Sequence, residues 1–222
     1  MTDTTEAQVT AQQQHRKILV SARYWLLGIA ESDPKFFKPL EALEMCTDHH
    51  NGRRNGGSPE WIHQLGMFHH ARTLHKHLKN PALVYTLIFT HDMVEDPNQA
   101  TKAFVSPDDI GSVFGDVVRA KTLKMSKNIL GQPNPEYSLT TIFEDEDCGP
   151  AKGFDRVNNV STMVGVFKPE RLQRYVLETA DEFLPRLKSA RRKYPHQEGV
   201  YENIKLELVN QLTLINHIIS AT

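Results

Sequence analysis

The sequence predicts an all-α protein. Three observations carry this. Apolar residues recur at helical spacing along most of the chain. No alternating polar and apolar run is bounded by hairpin turns. Helix-start signals such as Ser106-Pro107-Asp108-Asp109 combine a capping hydroxyl, a first-turn proline and carboxylates at the positive end of the helix dipole.

The elements follow in order. Residues 1–15, acidic and polar with no apolar segment resembling a signal core, read as a frayed tail, and residues 16–222 as one domain. Helices are expected over 18–30 and 36–50, the second with Leu40, Leu43 and Cys46 on one buried stripe. Residues 51–59 are rich in Gly, Asn and Pro, which places Arg53 and Arg54 on irregular backbone. A helix over 62–78 leads through Asn80-Pro81, a cap and first-turn pair, into a helix over 82–96 that is apolar early and acidic late. The Ser106 signal starts a helix running to about 126. Residues 128–150, with three prolines and two glycines, read as a mobile loop or as a short helix between loops. Helices over 152–165, 169–194 and 200–220 complete the chain, the last burying Tyr201, Ile204, Leu208, Leu212, Ile215 and Ile219.

Composition narrows the function. The 222 residues carry 26 basic and 27 acidic side chains, and this balance gives no electrostatic case for a nucleic-acid partner. A 39 % apolar content supports one sizeable core, so any activity is expected from a single module. The two cysteines, Cys46 and Cys148, form neither a disulfide framework nor a thiolate site, and with no span able to cross a membrane the expected location is cytoplasmic.

The most informative segment is His91-Asp92-Met93-Val94-Glu95-Asp96, where ionisable groups follow directly on an apolar run. On a helix, His91 lies one turn from Glu95 and Asp92 one turn from Asp96, so two faces converge on one end. A neutral imidazole beside a carboxylate offers a nitrogen and an oxygen to a divalent transition metal, and the next carboxylates stand ready for a water.

These residues resemble the HD superfamily of metal-dependent phosphohydrolases, and most closely the hydrolase domain of RelA/SpoT alarmone enzymes and their small stand-alone relatives. His49 or His50, then Arg54, Gly57, Pro59, Ile62 and His63, resembles the loop H-x-G-Q-x-R-x-x-G-x-P-Y-I-x-H-P. Residues 91–96 reproduce H-D-x-x-E-D. Ile110, Phe114, Gly115, Val118, Ser126 and Lys127 resemble the next helix, and Lys152, Asp155, Arg156, Asn159 and Thr162 resemble K-L-A-D-R-x-H-N-M-R-T. The similarity covers about residues 40–187. It implies a single HD-type helical bundle in which His63, His91, Asp92 and Asp155 hold Mn²⁺ or another divalent transition metal. Glu95 and Asp96 would position and activate the attacking water, and Arg54 would face the nucleotide base. Lys127 and Lys152 would counter phosphate charge, and Asn159 and Thr162 would contact the nucleoside. The activity implied is removal of pyrophosphate from the 3′ position of (p)ppGpp. Hydrolysis of a 5′-nucleotide or of the 2′-phosphate of NADPH, and a nucleotide-binding regulator without hydrolysis, are the alternatives.

The chain departs from the family pattern at several points. One residue fewer separates Ile62 from His63, Asn55 replaces a basic residue, Asn158 stands in the His-Asn pair, and Phe183 lacks a tyrosine hydroxyl. These changes spare the metal and acid groups and touch the expected substrate pocket. His69 and His70 remain competitors of His63 for the fourth ligand. His75 and His77 read as solvated or partly packed. Residues 144–147 read as a solvated acidic loop or a lid, and 186–193 as a basic surface face.

Overall fold

The computed structural model describes the backbone of residues 6–220 and the side chains of residues 11–220. It is all-α, as the periodicity predicts. The helices are α1 (Glu6–Ser32), α2 (Phe37–His49), α3 (Ile62–Thr73), α4 (Pro81–Thr90), α5 (Pro107–Phe114), α6 (Asp116–Met125), α7 (Leu139–Phe143), α8 (Cys148–Thr162), α9 (Pro169–Glu178), α10 (Leu184–Lys193) and α11 (Glu198–Ser220). Two-residue strands β1 (Asn128–Ile129) and β2 (Gln132–Pro133) form a hairpin, with Asn128 paired to Pro133. No described helix is long and apolar enough to cross a membrane.

The core is built around α4. This helix is apolar on nearly every face, and a helix of that kind is stable in water only when surrounded; Ala82, Val84, Leu87, Ile88 and Phe89 are accordingly buried. Helices α2, α3, α6 and α8 pack around it. Helix α8, buried along most of its length, is covered on its far side by α11, whose Tyr201, Ile204, Leu208, Leu212 and Ile215 form the expected stripe. Helix α1 closes the other side against α2 and α3, where Trp25, Phe68 and Tyr85 meet edge to face. One cluster of buried side chains runs from Ala22 to Ile215.

Several boundaries differ from expectation for identifiable reasons. Of the expected tail, residues 1–5 lie outside the described residues, and α1 already runs from Glu6. The helix expected over 62–78 stops at Thr73 and ends in a short 3₁₀ turn. The helix expected over 107–126 is broken at Gly115, whose φ of 90° side-chain-bearing residues avoid. Its start is as read: Ser106 and Asp109 form a reciprocal capping box. The stretch over 128–150 is a hairpin, the short helix α7 and the first turn of α8. Between α9 and α10 lies a π-helical turn, Thr179–Phe183. Pro185 has no N–H to give the fourth residue back, and the wider turn accommodates its ring.

Two side-chain expectations are corrected. Asn80 occupies the cap position of α4, but its amide donates to Asp147 Oδ1 (2.9 Å) and makes no cap bond. The acidic run 144–147 is not a solvated loop. Asp145 binds Lys121 (2.5 Å) and Lys124 (2.9 Å), and buried Asp147 binds Lys121 (3.1 Å). These pairs fasten the start of α8 to α6.

Candidate metal centre and cavity

Three separated segments meet beside the C-terminal end of α4. His63 comes from the first turn of α3, His91 directly follows α4, Asp92 lies in the turn beyond it, and Asp155 projects from the middle of α8. One donor atom from each of His63, His91 and Asp92 lies within 4.8 Å of the others. Asp155 Oδ1 is 3.2 Å from His63 Nε2 and 3.9 Å from His91 Nε2, and Asp92 Oδ1 is 3.1 Å from His91 Nε2. The two imidazoles are almost fully enclosed, whereas Asp92 keeps 22 % of its side-chain surface and faces the cavity.

The backbone that delivers these groups is not the expected helix. Helix α4 ends at Thr90; His91 keeps helical angles and bonds back to Leu87, and 91–96 is a series of tight turns. Met93 N–H bonds the carbonyl of Thr90 (3.1 Å), and Asp96 N–H bonds that of Asp92 (2.8 Å). The carbonyls of Met93 and Val94 accept from Val105 and Leu130, outside the segment, so they are drawn away from a helical ladder. Pro97 further disfavours helical geometry at Asp96. Full burial of both Met93 and Val94 holds the turn in place, and His49 Nε2–H donates to the carbonyl of Asp96 (2.8 Å).

Both imidazoles have the tautomer a metal requires. His63 Nδ1–H donates to Asn158 Oδ1 (2.6 Å) and His91 Nδ1–H to the carbonyl of Ile88 (3.0 Å). In each ring Nε2 is therefore the nitrogen turned towards the carboxylates, the orientation in which outer partners usually hold metal-binding histidines. Buried His91 Nε2 has no hydrogen-bond partner. Burial alone would lower the basicity of His91, but Asp92 and then Asp155 outweigh it and push its pKa up to about 9. A metal binding at this nitrogen would have to displace that proton. Burial would raise Asp155, yet Lys152 at 2.8 Å and the two imidazoles hold it well below the carboxylate range. Asp92 is likewise lowered by His91 and His63 against the effect of burial. Two nitrogens and two carboxylates fit a divalent transition metal.

Glu95 and Asp96 stand beside this cage. Glu95 Oε1 accepts from the backbone N–H of Lys127 (2.7 Å), which fixes one oxygen and leaves the other available. Burial, then the charge of Asp92, raises its pKa. Asp96 retains solvent contact at the cavity mouth, but the protein mass around it, followed by Asp92, Glu95 and Glu60, pushes it up to about 7.

The cage opens into a cavity of about 1090 Å³, at the upper end for small-molecule sites. Eight basic side chains, among them Lys17, Arg53, Arg54, Arg72, Lys127 and Arg171, line it against five acidic ones, so the wall is net cationic and suits a ligand with several negative charges. Each residue read from sequence as a substrate contact reaches its wall: Arg54, Lys127, Lys152, Asn159 and Thr162. They differ in what else they hold. Lys152 is bound to Asp155, so its charge orients that carboxylate as well as facing the cavity. Asn159 Nδ2 donates to Asp155 Oδ1 (2.6 Å) while its Oδ1 receives Arg54 at 3.5 Å, linking the arginine to the cage. Thr162 donates to the carbonyl of Asn158 (3.0 Å).

His69 and His70 are not alternatives to His63. His69 Nε2 lies 3.4 Å from the carbonyl of Ile18, and His70 Nε2 is 2.6 Å from Asn203 Oδ1, both away from the cage. Phe183 does not touch the cavity; it is buried against Phe143 and beneath Arg156. Sequence reasoning missed Asn158, Gln64 and Gly66. Gln64 Nε2 donates to Asp92 Oδ2 (3.1 Å). A Cβ on Gly66 would lie 2.3 Å from Asn158 Nδ2, so the glycine admits the amide that orients His63. A signal for both existed: Asn158 is three residues beyond Asp155 and Gly66 three beyond His63, each on its ligand's helix face.

No family model matches the chain, and no curated protein matches it at a significant level.

Proposed function

We propose that the chain is a metal-dependent nucleotide phosphohydrolase of the HD type, removing pyrophosphate from the 3′ position of (p)ppGpp, and that it works in the cytoplasm. The observation that carries the reading is the pairing of two Nε2 atoms with two carboxylates, next to a second carboxylate pair, Glu95 and Asp96, that makes no ion pair among the described residues. The cationic cavity supports a polyphosphorylated ligand, and the resemblance of the four sequence blocks supports the substrate class.

A divalent ion held by His63, His91, Asp92 and Asp155 would polarise a phosphoryl oxygen and make a nearby water more acidic. The remaining chemistry belongs to side chains. Glu95, with Oε1 held by the Lys127 N–H, uses its other oxygen to orient the attacking water. Asp96, poised near neutrality, takes the proton and returns it to the departing ribose 3′ oxygen as the new P–O bond forms and the old one breaks. The Lys127 ammonium, standing over the Tyr137 ring, counters charge on the transferred phosphates. Arg54 presents a planar guanidinium to the base and is steadied by Asn159.

The test is product identification with purified protein, Mn²⁺ and ppGpp. GDP plus pyrophosphate is expected. Orthophosphate release, or turnover of NADPH or 5′-nucleotides in its place, would reassign the substrate. Glu95→Gln combined with Asp96→Asn is expected to lower turnover at least 10³-fold while nucleotide binding survives, since each positioned acid or base contributes about 10²–10⁴. Undiminished hydrolysis in the double variant would refute the assigned roles.

A further inference from the structure

Among the described residues, eight buried side-chain polar atoms have no hydrogen-bond partner. Five belong to His50, Glu60 and Gln64, which line the cavity, and to His91 of the cage. The His91 atom is explained by the cage above, and the other four are not. They are both nitrogens of His50, Oε2 of Glu60 and Oε1 of Gln64. His50 has only 1 % of its side chain exposed, and its Nδ1 lies 4.0 Å from Glu60 Oε2, too far for a hydrogen bond but within the span of two ligands on one ion. Neither nitrogen of this enclosed ring is hydrogen-bonded, so one can carry the proton and the other present a lone pair. Gln64 has its amide nitrogen on Asp92 Oδ2, which leaves its carbonyl oxygen over. Buried polar atoms in native proteins find partners, and here three of the four leftover atoms are acceptors, the fourth being the N–H of the His50 ring.

We propose that His50, Glu60 and Gln64 hold a second divalent cation beside the first, with the Gln64 amide joining this group to Asp92 of the first. An imidazole nitrogen, a carboxylate and an amide oxygen form a mixed set that suits Mn²⁺ or a similar borderline ion. Asp92 lies between the two groups: Oδ1 faces His91, and Oδ2 faces His63 and accepts from the Gln64 amide. A second positive centre also explains how Glu60, Asp92, Glu95 and Asp96 share one cavity. Two adjacent cations would suit a substrate whose attacked group is a pair of linked phosphates. The inference rests on reading the first cage as a metal centre.

The test counts metal. The full chain is stripped with chelator, equilibrated with Mn²⁺ and dialysed; bound manganese per chain is then measured with a low-temperature electron paramagnetic resonance spectrum. The wild type is expected to hold two ions with an exchange-coupled spectrum. His50→Ala, and the near-isosteric Glu60→Gln in case the first does not fold, are expected to hold one uncoupled ion. One uncoupled ion in wild type and variants alike overturns the second site and leaves the proposed function standing. Two ions retained in both variants also overturns it. No bound ion in any protein overturns both readings.

Discussion

Asn158 decides which nitrogen of His63 carries a proton, through the 2.6 Å bond from Nδ1. Replacing it with Ala leaves Nδ1 without its acceptor and the ring free to turn. Manganese affinity is expected to fall about 10–100-fold, as for other outer partners of metal-binding histidines, with helicity unchanged; titration calorimetry and circular dichroism measure the two. Gly66→Ala should mimic this by pushing Asn158 aside from 2.3 Å. Asp145 illustrates a different use of charge. Burial would raise its pKa, but Lys121, Lys124 and the N–H groups of Cys148 and Asp147 hold it well below the carboxylate range. The unfolded chain therefore takes up this proton first. Its stabilisation is complete above the unfolded value of about 4 and is lost as pH falls towards the folded one. Asp145→Asn is expected to cost about 2 kcal/mol at pH 7, between the surface and buried limits for ion pairs. The gap from wild type should narrow on acidification in urea titrations, and a gap that widens in acid would contradict the assignment.

Helix ends matter more here than helix middles. Helix α4 supplies burial, yet its chemistry begins where it stops, because the tight turns over 91–96 hold His91 and Asp92 at the cage and Glu95 and Asp96 at the cavity wall. The same economy of boundaries holds in α5 and α6. Ser106→Ala removes one half of the capping box and is expected to cost about 1 kcal/mol. Gly115→Ala forces a side chain to φ 90° and is expected to cost about 1–2 kcal/mol. Thermal denaturation followed by circular dichroism checks both. Since α6 carries Lys121 and leads to Lys127, a loosened Gly115 junction should also weaken substrate binding more than a loosened Ser106 cap.

At the scale of the whole molecule, the cage joins α3, the turn after α4 and α8, three segments that share only tertiary contacts. A ligand that binds only the assembled form stabilises it by mass action, about 2.7 kcal/mol at a concentration 100 times Kd. Manganese is therefore expected to raise the melting temperature and chelator to reverse the rise; an Asp155→Asn variant should lose most of the response. A melting temperature indifferent to metal in the wild type would contradict the cage. The all-α class and the stripes of α2 and α11 were legible because helical periodicity and burial are local properties of a sequence read at 3.6 residues per turn. The four cage residues were legible as types in a recognisable pattern. What remained hidden had non-local causes. The turn over 91–96 answers to carbonyl partners at Val105 and Leu130, and the acidic run 144–147 is ordered by lysines of α6. The choice of His63 over His69 and His70, the tautomers set by Asn158 and Ile88, and the unpartnered atoms of His50 and Glu60 exist only once distant helices are packed. By itself the sequence determined the all-α class, which residues are apolar and which can carry charge, because these are properties of composition and of neighbours along the chain. Only the tertiary structure decided which of those charges meet, and in what orientation, because that depends on contacts between residues dozens of positions apart.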